Sequence, residues 1–167
     1  MSKSGQAVFG GPSFEAIRTP TRRERFLGDM ERAMPWSALR SVVEPIFELP
    51  GMRGHPLELD RLLRVYFLQR WFRLSDLAVR DELYDSTAMR GFACVGLGRE
   101  TVPTESAIAW FRQSLEEYGL AETIVAAAAK HLESRGLAVA AGTIVDATLF
   151  ETRRVGSVGW RALIPQF

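Results

Sequence analysis

One acid stands inside an apolar run late in the chain. The run is GTIVDATLF, residues 142–150, with Asp146 at its centre. If it forms a strand, side chains alternate between faces. Ile144, Asp146 and Thr148 then share one face; Val145, Ala147 and Leu149 share the other. A carboxylate on a central strand is costly to bury unless it is paired or bound to a metal. Magnesium takes one or two carboxylates together with phosphate and water oxygens. Two-metal phosphoryl transfer needs several carboxylates to hold its pair of ions. Asp146 suits the first member of such a set. Spacing alone favours a plainer role, an Asp that ends the strand or caps a turn.

Other chemistries find less support. His55 lies in a loop between Gly54 and Pro56, and the only other histidine is His131, which argues against a Ser-His-Asp triad. No HExxH occurs, and GLGRE lacks the strand-to-helix setting of a phosphate-binding loop. Cys94 is the single cysteine, so neither an internal disulfide nor a cysteine metal cluster can form. It lies in an apolar stretch and reads as a packing residue inside a helix.

The elements that must position Asp146 are mostly helical. With 167 residues, 47% hydrophobic and 25% charged, the chain has the profile of one soluble domain. No apolar run is long enough to span a bilayer, and the first residues lack a signal peptide's apolar core. A reducing, cytoplasmic setting is expected. The net charge of +1 is unevenly spread: residues 1–30 carry a net +2, residues 31–150 a net −3 and residues 151–167 a net +2. Nineteen of the 21 basic residues are Arg, the side chain that favours bidentate phosphate contacts.

Residues 1–33 read as a flexible basic arm, punctuated by Gly and Pro and ending in RTPTRRER. Its Arg22, Arg23 and Arg25 are candidates for tracking a phosphate backbone. A plain solvated leader is the alternative. From Pro35 the apolar period is helical, with Pro45 expected to kink or split the first helix. LELDRLLRVYFLQRWFRL is apolar around much of its circumference, which belongs at the centre of a bundle. Its arginines form no continuous stripe at 100° per residue, so they are expected to snorkel around a core helix. Ser75 and Thr104 suit N-caps, and Gly119 and Gly136 suit helix ends. After Gly136 the β-branched residues of LAVAAGTIVDATLF signal a strand. Pattern alone therefore gives a mainly α chain, a bundle of about five or six helices over residues 34–136, followed by one strand over residues 137–151. A lone strand leaves backbone groups unpaired on both edges.

GTIVDATLFE resembles the segment that bears the first acid in DDE transposases of the IS-five insertion-sequence group. The upstream text, RGHPLELDRLLRVYFLQRWFRLSDLAVRDELYDSTAMRGFACVGLG followed by VPTESAIAWFRQSLEEYGLAETI, resembles that family's N-terminal helical region in order and spacing. The similarity spans roughly residues 30 to 151. It implies that the strand is the first of an RNase H-like α/β domain whose three carboxylates bind two magnesium ions. Asp146 matches the first of the three. The resemblance further implies DNA as partner, at the terminal inverted repeats, and a nucleoid-associated location. It makes VPTESAIAWFRQSLEEYG the recognition-helix candidate, with Thr104, Ser106, Arg112 and Gln113 facing DNA. Residues 152–167 depart from the family pattern, and the second Asp and the Glu have no counterpart. The expectation is a truncated transposase that binds DNA, holds no stable magnesium and is catalytically inactive alone. Two alternatives stand beside it. One is an interaction module that represses full-length transposase through inactive mixed oligomers, or pairs with its own copies. The other is a non-functional pseudogene product.

Overall fold

The longest apolar helix of the sequence becomes the centre of a bundle. The structure, a computed structural model, describes residues 18–48, 56–96 and 101–137. Seven helices are present among them: α1 (Arg22–Ala33), α2 (Trp36–Phe47), α3 (Pro56–Phe72), α4 (Asp76–Asp85), α5 (Thr87–Phe92), α6 (Glu105–Glu117) and α7 (Leu120–Ser134). α3 touches α2, α4 and α6, and α1 lies against α5, which in turn packs on α4. α7 closes the bundle against α2 and α6. Along α3, Leu59, Leu62, Leu63, Val65, Tyr66, Phe67, Leu68 and Phe72 are all buried, as its all-round apolar pattern requires.

Two aromatic clusters tie the helices together. In the first, Trp71 of α3 meets Phe26 of α1 at 5.4 Å and Phe92 of α5 at 5.6 Å between ring centroids. Trp36 of α2 completes it, 5.9 Å from Phe67 and 5.7 Å from Phe92. In the second, Phe47 of α2 meets Trp110 at 5.5 Å and Phe111 at 6.0 Å. Most of these pairs are edge-to-face, the arrangement that the ring quadrupole favours.

The helix starts follow local sequence. Thr21 and Glu24 form a reciprocal capping box on α1. Ser75, Ser86 and Thr104 each accept a backbone N–H with the side chain at the start of α4, α5 and α6. Three helix ends carry a residue in the left-handed region followed by a backbone bond that reaches back five residues. They are Arg73 with Leu74 N–H to Gln69 O at 3.1 Å, Cys94 with Val95 N–H to Arg90 O at 3.0 Å, and Gly136 with Leu137 N–H to Leu132 O at 2.9 Å. This is the Schellman geometry, in which glycine is the favoured left-handed residue. Only the third has one.

Three expectations change. The bundle begins at α1 and not at residue 34, so part of the expected arm is a packed helix, which adds a seventh to the six helices found over residues 34–136. Phe26, Leu27, Met30 and Ala33 bury one face of α1, although seven charged residues and Gly28 dilute the pattern in the sequence. Of the two outcomes expected at Pro45, the split does not occur: α2 runs through it. Pro45 is exposed, so the carbonyl that it leaves without a helical donor, that of Ser41, is on the solvent side. Cys94 is exposed and stands beyond the end of α5, not inside a helix. No strand occurs among the described residues; apart from Leu137, the strand expected over residues 137–151 lies outside them.

Candidate nucleic-acid interface

Thr104, Ser106 and Arg112, three of the four candidate DNA contacts at α6, are occupied within the fold. Thr104 Oγ1 accepts the Ala107 N–H at 3.2 Å and shares a hydrogen bond with Ser106 Oγ at 3.1 Å. Arg112 crosses to α4, where its Nε and Nη2 donate to the two oxygens of Asp76 at 3.1 and 2.8 Å. Its Nη1 donates to Glu116 at 3.3 Å. Asp76 accepts a further bond from Gln69 of α3 at 2.7 Å. The Arg112 bond, reinforced by Gln69, holds the Asp76 carboxyl below its usual range, and the bond to Asp76 pushes the Arg112 pKa up. Arg112 is thus a strut between α6, α4 and α3. Gln113 is exposed, but so are Glu105, Glu116 and Glu117 on the same helix. Three carboxylates on one helix repel a phosphate backbone. The arrangement suits packing better than groove insertion.

The three arginines at the start of α1 divide. Arg23 turns inward: its Nη1 donates to Glu82 of α4 at 3.0 Å and its guanidinium lies 5.4 Å from the centroid of the Phe72 ring. Arg22 and Arg25 are exposed, and their side chains make no hydrogen bond or ion pair among the described residues. Arg18, upstream, pairs with Glu24 through two bonds. That contact, with the Thr21 backbone N–H, lowers the Glu24 pKa from 4.5 to about 2. Two free cations on the first turns of α1, beside an internally satisfied helix start, are what an approaching phosphate would meet.

The arginines of α3 also divide. Arg61 is buried and donates to the Cys94 carbonyl at 3.3 Å. Arg64 lies 4.5 Å over the Trp36 ring and makes two bonds to Glu31, the shorter 2.7 Å. Both belong to the interior of the bundle. Arg70 and Arg73 are exposed at the helix end. Sequence spacing separated the two pairs correctly, and it gave no means of choosing which pair faces water.

A shallow open cavity of about 260 Å³ lies between α1 and α5, lined in part by Leu27, Gly28, Ala88 and Gly91, with Glu24 and Glu31. Its apolar wall and two carboxylates make it unsuited to phosphate. No group of three or more His, Cys, Asp or Glu residues able to hold a metal occurs among the described residues. Asp146 lies outside the described residues. Among those residues no helix is long and apolar enough to cross a membrane.

No solved structure matches the chain. A family model described as "Transposase domain (DUF772)" matches residues 15–114, a span that encloses α1 to α5 and most of α6. With well over half of its length covered, and all but α7 of its helices within or overlapping the matched span, the chain belongs to the transposase-domain family.

Proposed function

We propose that the chain serves transposition as a DNA-engaging helical module of the IS-five type, and that it meets DNA at the α1 end of the bundle through phosphate contacts. The observation that carries this reading is the contrast between Arg22 and Arg25, exposed and uncommitted, and Arg112, held by Asp76. An arginine already committed to a carboxylate has little to offer a phosphate. The α6 helix is then a packing element. In this reading Asp146 is the first acid of a magnesium-binding set, and the bundle itself contributes positioning, not chemistry.

The test is binding of the full chain to duplex DNA bearing the parent element's terminal repeat, measured by fluorescence anisotropy over a salt series. Affinity should fall steeply with salt, each neutralised phosphate contributing about −0.9 to the logarithmic slope. Arg22→Ala with Arg25→Ala should flatten that slope. Salt-independent binding, or no binding at low salt, defeats the reading. A scrambled duplex of equal length tests repeat specificity: equal affinity confines the module to backbone contacts.

A second reading, contact with intact transposase, draws on α4. Leu77 and Tyr84, seven positions apart on one face, are 46% and 57% exposed. Co-expression with an intact transposase tests it; an unchanged transposition frequency counts against it.

A further inference from the structure

Arg73 occupies a backbone position that its side chain does not explain. Its φ is 50°, in the left-handed region, where a Cβ crowds the following carbonyl and glycine is favoured. The same role at the end of α7 is filled by Gly136, with φ 71°. The Arg73 side chain offers the fold no compensating contact: it is exposed and makes no hydrogen bond or ion pair among the described residues. A strained position held by an idle side chain points to a use outside the fold.

Its location says which use. Phe72, the preceding residue, receives the Arg23 guanidinium at 5.4 Å, and Phe26 packs on the same ring at 6.0 Å. Arg22 precedes Arg23 on α1, and Arg73 follows Phe72 on α3. The Arg23–Phe72 contact therefore brings the start of α1 and the end of α3 to one edge of the bundle. Glu82, the carboxylate near this seam, is already taken by Arg23 at 3.0 Å. Arg22 and Arg73, which flank this contact in sequence, are exposed and their side chains make no ion pair among the described residues.

We infer that Arg73 is a phosphate-contacting residue of the DNA interface, working beside Arg22 and Arg25 across the α1–α3 seam. The ligand is the DNA backbone, not the bases. A short helix-end turn presents a guanidinium without inserting an element into a groove, and such contacts fix register without reading sequence. This inference rests on the DNA-binding reading above and adds an element far along the chain to it.

The experiment sets stability against affinity in the full-length chain. Arg73→Gly removes the guanidinium and relieves the backbone. It should raise the thermal midpoint while lowering DNA affinity and reducing the salt slope by about 1. Arg73→Lys should recover most of the salt slope without the gain in thermal midpoint, because it keeps the charge and the strain. Lys130→Ala, on α7, removes one charge elsewhere and should leave the slope unchanged. If the parent chain binds DNA and Arg73→Gly binds with the same affinity and slope, the inference is overturned while the broader reading survives. If the parent chain shows no salt-sensitive binding, both fall. A midpoint and an affinity that drop together in Arg73→Gly would make Arg73 structural and also overturn it.

Discussion

Arg112 is committed to the fold before it can be offered to a ligand. Its two bonds to half-buried Asp76 join α6 to α4, and Gln69 brings in α3. Replacing it with Met keeps the stem and removes the charge. That change should cost about 1 kcal/mol of stability, the scale of a partly exposed charged hydrogen bond discounted for solvent. Urea unfolding gives the cost, and DNA affinity of the folded variant should hardly move. The acids supply a pH prediction. Glu24 titrates near 2 in the folded chain against an ordinary value of 4.5, and Asp76 is shifted the same way. Their contribution is complete above the ordinary carboxylate value and is lost as pH falls through the lowered one. The thermal midpoint should therefore drop between pH 4.5 and about 2. Glu24→Gln combined with Asp76→Asn should flatten that drop; an unchanged profile in the double variant would show that other acids govern it.

Two helices carry built-in costs that substitution can expose. α2 runs through Pro45 with one backbone donor missing on its exposed side. Pro45→Ala restores the donor and removes the ring clash, so it should stabilise the chain, by up to about 3 kcal/mol if the helix has not already relaxed around the ring. A lower Tm in this variant would show that the ring is needed to set the end of α2. α5 ends on Cys94 at φ 54°. Cys94→Gly should stabilise by about 1 kcal/mol, because it removes the left-handed cost and gives up only the weak bond of an exposed thiol to the Phe92 carbonyl at 3.8 Å. Denaturant midpoints for Cys94→Gly and Arg73→Gly give independent readings of the same backbone term. The helix caps were legible beforehand: Ser75 and Thr104 stand where short polar side chains precede apolar periods. α1 was not. Its apolar set is four residues, its other positions are mostly charged, and Gly28 weakens the local preference. It is a helix because Phe26 finds Trp71 and Phe72 across a gap of more than forty residues.

The whole bundle depends on the two aromatic clusters that enclose α3. Phe111 is almost fully buried and meets Phe47 and Tyr66 at 6.0 and 6.4 Å. Phe111→Ala leaves a cavity where α2, α3 and α6 meet and should cost about 3–5 kcal/mol, the range for a buried aromatic truncated to alanine. One cooperative transition with a lower midpoint is the expected calorimetric result. Two separate transitions would mean that the α6–α7 pair unfolds apart from the rest. At this scale the charge pattern also acquires a direction. Arg22, Arg25 and Arg73 are exposed cations, while α6 presents exposed carboxylates. On the proposed DNA-binding reading, such polarity orients the molecule even at a net charge of +1.

The sequence by itself determined the helical class, the central place of α3, the caps and the separation of Arg61 and Arg64 from Arg70 and Arg73. Each of these rests on local propensity or on the 3.6-residue period, which neighbouring residues carry without help. The choice of which arginines are free belonged to the tertiary structure. Whether Arg112 meets Asp76, Arg23 meets Glu82 or Arg64 meets Glu31 depends on partners 33 to 59 positions away. Periodicity within one helix holds no information on such pairs. The left-handed backbone at Arg73 was hidden for a related reason: a non-glycine residue gives no local signal for that conformation, which is imposed by the turn between α3 and α4 as both pack into the bundle.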